Sequence, residues 1–237
     1  MELSVIMPMY NPERIIFNLK EAIKSLEKVS KDFELIVVND GSTNDCFEKA
    51  KEYQDNRILV TGYKKNVGKG NAISYGFKFA KGDYIAFVDS GADLNPEQLA
   101  NFMKLMKQKN ADVVIGSKRH SNSKVHYPLI RRIMSRMYQT VNHILFNLNV
   151  KDTQVGIKLF KRKVLERIIP IILVKKFAFD LEILVLSNKY HFKIIEAPVK
   201  MNYRFKSTIN TKSVFWMLWD TAAIFYRLKI LRYYDKN

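Results

Sequence analysis

Compact apolar runs alternate with segments of helical periodicity through the first 120 residues. Leu3–Met7, Phe33–Val38, Ile58–Val60, Tyr84–Val88 and Val113–Gly116 are largely apolar, without regular in–out alternation, as expected of strands covered on both faces. Between them lie helix-like stretches. One opens at Asn11-Pro12, with Asn11 read as N-cap, and carries Ile15, Ile16, Leu19, Ala22, Ile23 and Leu26 at helical spacing. Others run around Cys46–Tyr53, Asn71–Ala80 and Pro96–Lys107. Strands separated by helices imply a parallel sheet with right-handed crossovers. The second half predicts an amphipathic helix from about Tyr127 to Leu148, a strand over Gly156–Phe160 and a helix over Phe179–Ser187. A β-pair follows, Phe192–Ile195 with Val199–Tyr203, broken at Pro198. The last helix runs from Lys212 to Arg232 and is apolar almost all round.

Sheets of this kind bind ligands beyond the carboxyl ends of their strands. Here those ends read Pro8-Met9-Tyr10-Asn11, Asn39-Asp40-Gly41-Ser42, Asp89-Ser90-Gly91-Ala92-Asp93 and Gly116-Ser117-Lys118-Arg119. Asp89 and Asp93 on one strand-end loop suit a hard divalent cation shared with substrate phosphates, or an Asx-turn and helix cap. Asn66-Val67-Gly68-Lys69-Gly70-Asn71 is a glycine-lysine loop before a helix, where backbone and ammonium approach a phosphate closely. It lacks the P-loop spacing. Asp152 follows a basic block and Asp180 opens a helix; either can orient or deprotonate an acceptor, or serve as a structural ion-pair partner. Arg131, Arg204 and Ser207 offer guanidinium and hydroxyl groups to a phosphate.

Charge narrows the partner. Forty Lys and Arg against 23 Asp and Glu give +17 over 237 residues. The excess is concentrated: Val114–Lys151 and Ala197–Trp219 contain no acidic residue. A phosphate, nucleic acid or membrane surface is the expected partner. Neither an RNA-binding aromatic signature nor a helix-turn-helix supports nucleic acid. A single cysteine excludes a disulfide framework and a cysteine zinc cluster. The run after Glu2 ends at Pro8 and does not read as a signal peptide, and no run is long enough for a membrane span.

The motifs taken together resemble glycosyltransferase family 2, inverting enzymes of the GT-A (nucleotide-diphospho-sugar transferase) fold. The branch is similar to polyprenyl-phosphate (dolichyl-phosphate) mannose or glucose synthases. Ser4–Asn11 resembles the opening strand with its P-x-Y-N turn, and Val37–Ser42 resembles VVDDGS. Asn66–Gly70 with Ala72 resembles N-x-G-K-G-x-A, and Asp89 falls on the first acid of D-x-D. Gly116–Arg119 resembles the G-S-R turn, Asp152–Phe160 the D-T-Q-x-G-F-K-x-F segment, and Glu196–Val199 with Arg204 and Ser207 the E-x-P-V ending and its R-x-x-S. Three positions depart: Asn39 replaces the first Asp of the base-binding pair, Glu13 lies one position late, and Gly91 occupies the second acid of D-x-D.

The resemblance implies an α/β GT-A domain over residues 1–210, mostly parallel sheet flanked by helices, and a C-terminal amphipathic helix over 211–237. It implies transfer of a hexose from UDP- or GDP-hexose to a polyprenyl or dolichyl phosphate at the cytosolic membrane face, by a peripheral protein, with a homodimer as one expected assembly. Mg²⁺ or Mn²⁺ is the implied cofactor, on Asp89 and Asp93. The nucleotide falls to Pro8, Tyr10, Asn11, Glu13, Asn39, Asp40, Gly68, Lys69, Asp89 and Ser90. The acceptor phosphate falls to Lys118, Arg119, Arg131, Gln154, Arg204 and Ser207. Asp152, then Asp180, is the implied catalytic carboxylate. Two alternatives remain at this level: a family member acting on a sugar or protein hydroxyl, and a non-catalytic membrane-binding relative.

Overall fold

The computed structural model describes residues 1–91, 94–125, 129–201 and 211–235, the side chains of 129–131 and 211 excepted. Seven strands, β1 (Leu3–Met9), β2 (Phe33–Asp40), β3 (Ile58–Tyr63), β4 (Tyr84–Val88), β5 (Val113–Ser117), β6 (Ile157–Lys161) and β7 (Ile194–Pro198), form one sheet. Their order is β3-β2-β1-β4-β6-β5-β7. Every pairing is parallel except those of β6, which runs antiparallel to β4 and β5.

Side-chain alternation along the strands divides the core into two layers. Val5, Val37 and Ala86 face α1 (Ile15–Leu26), α2 (Cys46–Glu52) and α4 (Leu99–Lys109). Ile6, Val38 and Phe87 face the other layer, made of α3 (Lys69–Phe77), α5 (Leu129–Phe146), α6 (Arg162–Ile168), α7 (Phe179–Lys189) and α8 (Thr211–Phe225). Both faces are therefore covered, which explains the largely apolar strands. The result is the three-layer mixed α/β architecture expected.

Four local readings need correction. Asn11 is not a helix cap, because α1 starts only at Ile15. Asn11 sits at φ 48° and its Oδ1 accepts from Thr43 N (2.8 Å) and Asn44 N (3.3 Å), tying the β1 end to the turn after β2. Asparagine tolerates that left-handed conformation better than most residues. Of the expected β-pair around Pro198, the first part forms the edge strand β7, with Pro198 as its last residue, where a missing N–H is harmless; Lys200 and Met201 make isolated bridges to Lys124 and Leu94, and residues 202–203 lie outside the described residues. The last helix is α-helical only to Phe225 and continues as a π-helical turn, Tyr226–Ile230. Finally, β6 reverses direction. Its amino end therefore lies at the carboxyl edge of its neighbours, which brings the preceding segment 152–156 to the predicted ligand edge.

Candidate active site

At that edge the β2 terminus is locked to the glycine-lysine loop. Asp40 is buried, and its carboxylate accepts from Tyr63 OH (2.8 Å), Asn66 Nδ2 (3.1 Å), Val67 N (2.9 Å) and Gly68 N (3.0 Å). Asn39 is also buried; its Oδ1 accepts from Ser42 N at 3.1 Å. These two side chains thus shape the loop and the turn. Tyr10 is exposed beside them, and Pro8 is half-buried at the strand end. Glu13 is exposed, in a groove between α1 and α2. The Ser90 carbonyl accepts from Asn18 Nδ2 at 2.9 Å.

Gly68 holds φ 121°, a conformation that disfavours side chains, and a Cβ there would lie 2.5 Å from the Lys175 carbonyl oxygen. The same oxygen accepts from Gly70 N (2.9 Å) and Asn71 N (3.3 Å), satisfying the first turn of α3. The loop so fixed aims Lys69 at two carboxylates: Asp89 Oδ1 at 2.7 Å and Asp180 Oδ2 at 3.4 Å. Lys158 Nζ closes the row, 2.8 Å from Asp180 Oδ1. Four charges therefore alternate, Asp89–Lys69–Asp180–Lys158, from a half-exposed strand tip into the core. Gly156 makes room for the outer one, since a Cβ there would fall 1.8 Å from Asp89 Oδ2.

Burial opposes charge on the inner members, and the neighbours decide the outcome. Burial pushes the Asp180 carboxyl up, but Lys158 and Lys69 outweigh it and hold it below the usual carboxylate range. Burial pulls the Lys69 ammonium down, yet Asp180 and Asp89 override this and raise it. For Lys158, burial wins over the attraction of Asp180, and the ammonium is lowered. Asp180 also occupies the first turn of α7, where the helix dipole favours an anion.

A second cluster lies on the β5–β6 side. Asp152 is buried; its Oδ2 accepts from Lys118 N (3.2 Å) and stands 3.6 Å from Lys118 Nζ, while its Oδ1 accepts from Gln154 N (3.2 Å). Glu196 Oε1 accepts from Lys151 N (2.8 Å) and Asp152 N (3.2 Å), pinning the segment to β7. Arg119 donates to the Lys151 carbonyl at 3.0 Å. Lys118, Arg119 and Gln154 are thus brought together around Asp152. Asp93, the Arg131 side chain, Arg204 and Ser207 lie outside the described residues. Asn95 caps the following 3-10 turn, accepting from Glu97 N at 2.8 Å.

Sequence reasoning did not assign roles to Lys158, Gly156 or Tyr63. Lys158 had a usable signal: a lysine in the middle of a short, otherwise apolar strand must find a buried partner. Among the described residues no group of three His, Cys, Asp or Glu side chains converges on a metal position. Asp89 nevertheless presents a half-exposed carboxylate, the hard oxygen donor that Mg²⁺ or Mn²⁺ takes together with diphosphate and water. The donor type fits.

Residues 4–169 match the family described as Glycosyl transferase family 2. The chain belongs to that family and is a glycosyltransferase. This glycosyltransferase is 32% identical over 250 residues to a dolichyl-phosphate beta-glucosyltransferase of Trichomonas vaginalis, covering 99% of this chain and 76% of the relative. It is 33% identical to the dolichyl-phosphate beta-glucosyltransferase of Dictyostelium discoideum, covering 83% of this chain and 65% of that protein, just under two thirds of its length. Among solved structures, glucosyl-3-phosphoglycerate synthase from Mycobacterium tuberculosis, crystallised with Mn²⁺, UDP-glucose and phosphoglyceric acid, superposes with a TM-score of 0.68. That match is 17% identical and covers 95% of this chain and 78% of the other. It establishes the shared GT-A fold.

Proposed function

We propose that this glycosyltransferase moves glucose from a nucleotide diphosphate sugar, UDP-glucose in the first instance, to dolichyl phosphate or a related polyprenyl phosphate at a membrane surface. The observation that carries the reading is the pairing of two cationic centres on one sheet edge. Lys69 is held between Asp89 and Asp180 on the donor loop, and Lys118 is held by Asp152 beside Arg119. One centre suits a diphosphate and the other an acceptor phosphate. The names of the relatives supply the sugar and the lipid.

Transfer expels a nucleoside diphosphate whose new charge must be stabilised. Lys69 meets that charge from a loop fixed by Asp40 and by the Lys175 carbonyl. Asp89, with Asp93, would hold Mg²⁺ or Mn²⁺, which supplies Lewis-acid stabilisation of the diphosphate when bound. A lipid phosphate is already anionic at neutral pH and needs no general base. Asp152 then acts through Lys118, keeping its ammonium and backbone N–H in place for the acceptor phosphate. Holding the two reactants in line contributes about 7–11 kcal/mol towards the barrier, and attack from the far face inverts the anomeric centre. Arg131, Arg204 and Ser207 are further acceptor candidates.

Access to a lipid acceptor is supported by the outer helices. Ile133, Met137, Val141 and Ile144 form an exposed apolar stripe at helical spacing on α5, with Ile144 73% exposed. On α8, Phe215, Trp216, Leu218 and Trp219 are exposed, Trp219 at 62%. Apolar stripes bearing tryptophan within a basic protein suit the head-group region of an anionic bilayer. No helix among the described residues is long and apolar enough to cross a membrane.

The test is transfer from radiolabelled UDP-glucose, with GDP-mannose alongside, to dolichyl phosphate in detergent. An organic-extractable, mild-acid-labile product is expected. Label appearing only in a water-soluble product would overturn the lipid acceptor.

A further inference from the structure

The donor loop has a second side. A cavity of about 820 Å³ opens between residues 65–67, the segment 173–177 and the amino-terminal half of α8. Neither Asp89 nor Asp152 lines it. One rim carries Lys65, Lys175 and Lys176, all exposed, and among the described residues no carboxylate lies within 4 Å of their ammonium groups. The other wall is Leu173, Phe177 and Trp216, each about two fifths exposed. Arg227 also lines the cavity, but its guanidinium is spent on Glu182 at 3.4 Å. The one carboxylate among the described lining residues, Asp220, accepts from Ala178 N at 3.4 Å and lies under the electrostatic influence of Arg227 and Lys176.

Three ammonium groups, of which only Lys176 is partly offset by Asp220, facing an exposed aromatic and aliphatic wall match an amphiphile with an anionic head. Trp216 belongs both to this wall and to the exposed face of α8, so the cavity opens onto the surface assigned to the membrane. We propose that this pocket binds the head group and upper acyl chain of an anionic glycerophospholipid, at a site separate from that of the reacting acceptor. The inference rests on the membrane-surface part of the function above and adds a defined lipid site to it. Its position gives it a further consequence. Lys175 forms the rim through its side chain and holds the first turn of α3 through its carbonyl, so a lipid seated there steadies the loop that carries Lys69.

Two measurements test it. In a Trp219→Phe protein, Trp216 is the only tryptophan, and a soluble short-chain brominated phosphatidylserine should quench it. Adding Lys65→Ser and Lys176→Ser should weaken that quenching by roughly fivefold for each lysine removed. Lys20→Ser with Lys24→Ser removes equal charge from exposed positions on α1, in the opposite layer, and should leave quenching within twofold. Equal losses in both charge variants, or no quenching of Trp216, would overturn the pocket. Sedimentation with phosphatidylcholine vesicles, with and without phosphatidylserine, should show the same order. The transfer assay in detergent without phospholipid separates the two readings. Retained transfer to dolichyl phosphate in the Lys65/Lys176 variant with lost vesicle binding supports both. Quenching without any lipid-linked product supports the pocket and removes the acceptor assignment alone.

Discussion

Replacing Lys158 with methionine tests the alternating charge row directly. The side chain is 1% exposed and its ammonium lies 2.8 Å from Asp180. Methionine fills the space without charge, leaving a buried Asp180 whose nearest remaining cation is Lys69 at 3.4 Å. Breaking a buried pair by removing one partner costs about 3–5 kcal/mol. For a chain of this length that corresponds to a fall in Tm of roughly 6–20 °C, at 2–4 °C per kcal/mol. Urea unfolding supplies the assay, with the midpoint read at constant m-value. Asp180→Leu alone should also destabilise, by stranding Lys158. The double variant should be more stable than the sum of the two losses allows, because a buried ion pair exchanged for apolar groups is often neutral or better. Strict additivity of the two single effects, or a Lys158→Met protein as stable as the parent, would refute the pairing as the reason for a lysine in β6.

Gly156→Ala should leave Tm nearly unchanged while lowering transfer by roughly a hundredfold, because the new methyl displaces the Asp89 carboxylate rather than backbone; steady-state kinetics beside thermal unfolding checks both halves. Asp40→Asn should cost about 2–4 kcal/mol, since an amide nitrogen then faces backbone N–H donors, and donor KM should rise more than kcat falls. Glu182 is fully buried, accepts from Val174 N at 2.7 Å, and is bonded to Tyr234. Burial raises its carboxyl above the ordinary value, against those donors and Arg227. A raised acid contributes stability that is complete below about pH 4.5 and is lost as pH rises through the folded-state value. The stability advantage of the parent over Glu182→Gln should therefore shrink from acid to neutral pH, as urea midpoints across that range will report.

The sheet was legible because its strands are covered on both faces, which leaves runs such as Leu35–Val38 and Ile85–Val88 with no polar interruption. The carboxyl-edge site was legible for the same reason, since parallel strands put their polar termini on one side. What depends on long-range partners was not. Nothing local to Ile157–Lys161 tells that the strand runs backwards. Asn11 carries a strong local capping signal, yet its amide is used across 32 positions by Thr43. Asp89 has no cation near it in sequence, and its partner Lys69 arrives from the preceding crossover. Asp40 matches a base-binding motif, while its four donors come from Tyr63 and the loop after it.

The reversed strand has one more consequence. Because β5 and β6 are antiparallel neighbours, with Ile115 opposite Lys158, the chain departs and returns side by side, and the excursion between is pinned again where Tyr138 and Phe146 enter the core and where Glu196 holds Lys151 and Asp152 to β7. The cost of closing such an excursion rises only slowly with its length. Exposed positions between residues 120 and 150 can therefore change without re-threading the sheet, whereas Asp152, which holds Lys118, and Gly156, which makes room for Asp89, cannot; under the proposed reading, receiver choice would be free to drift while the sugar-nucleotide half stays fixed.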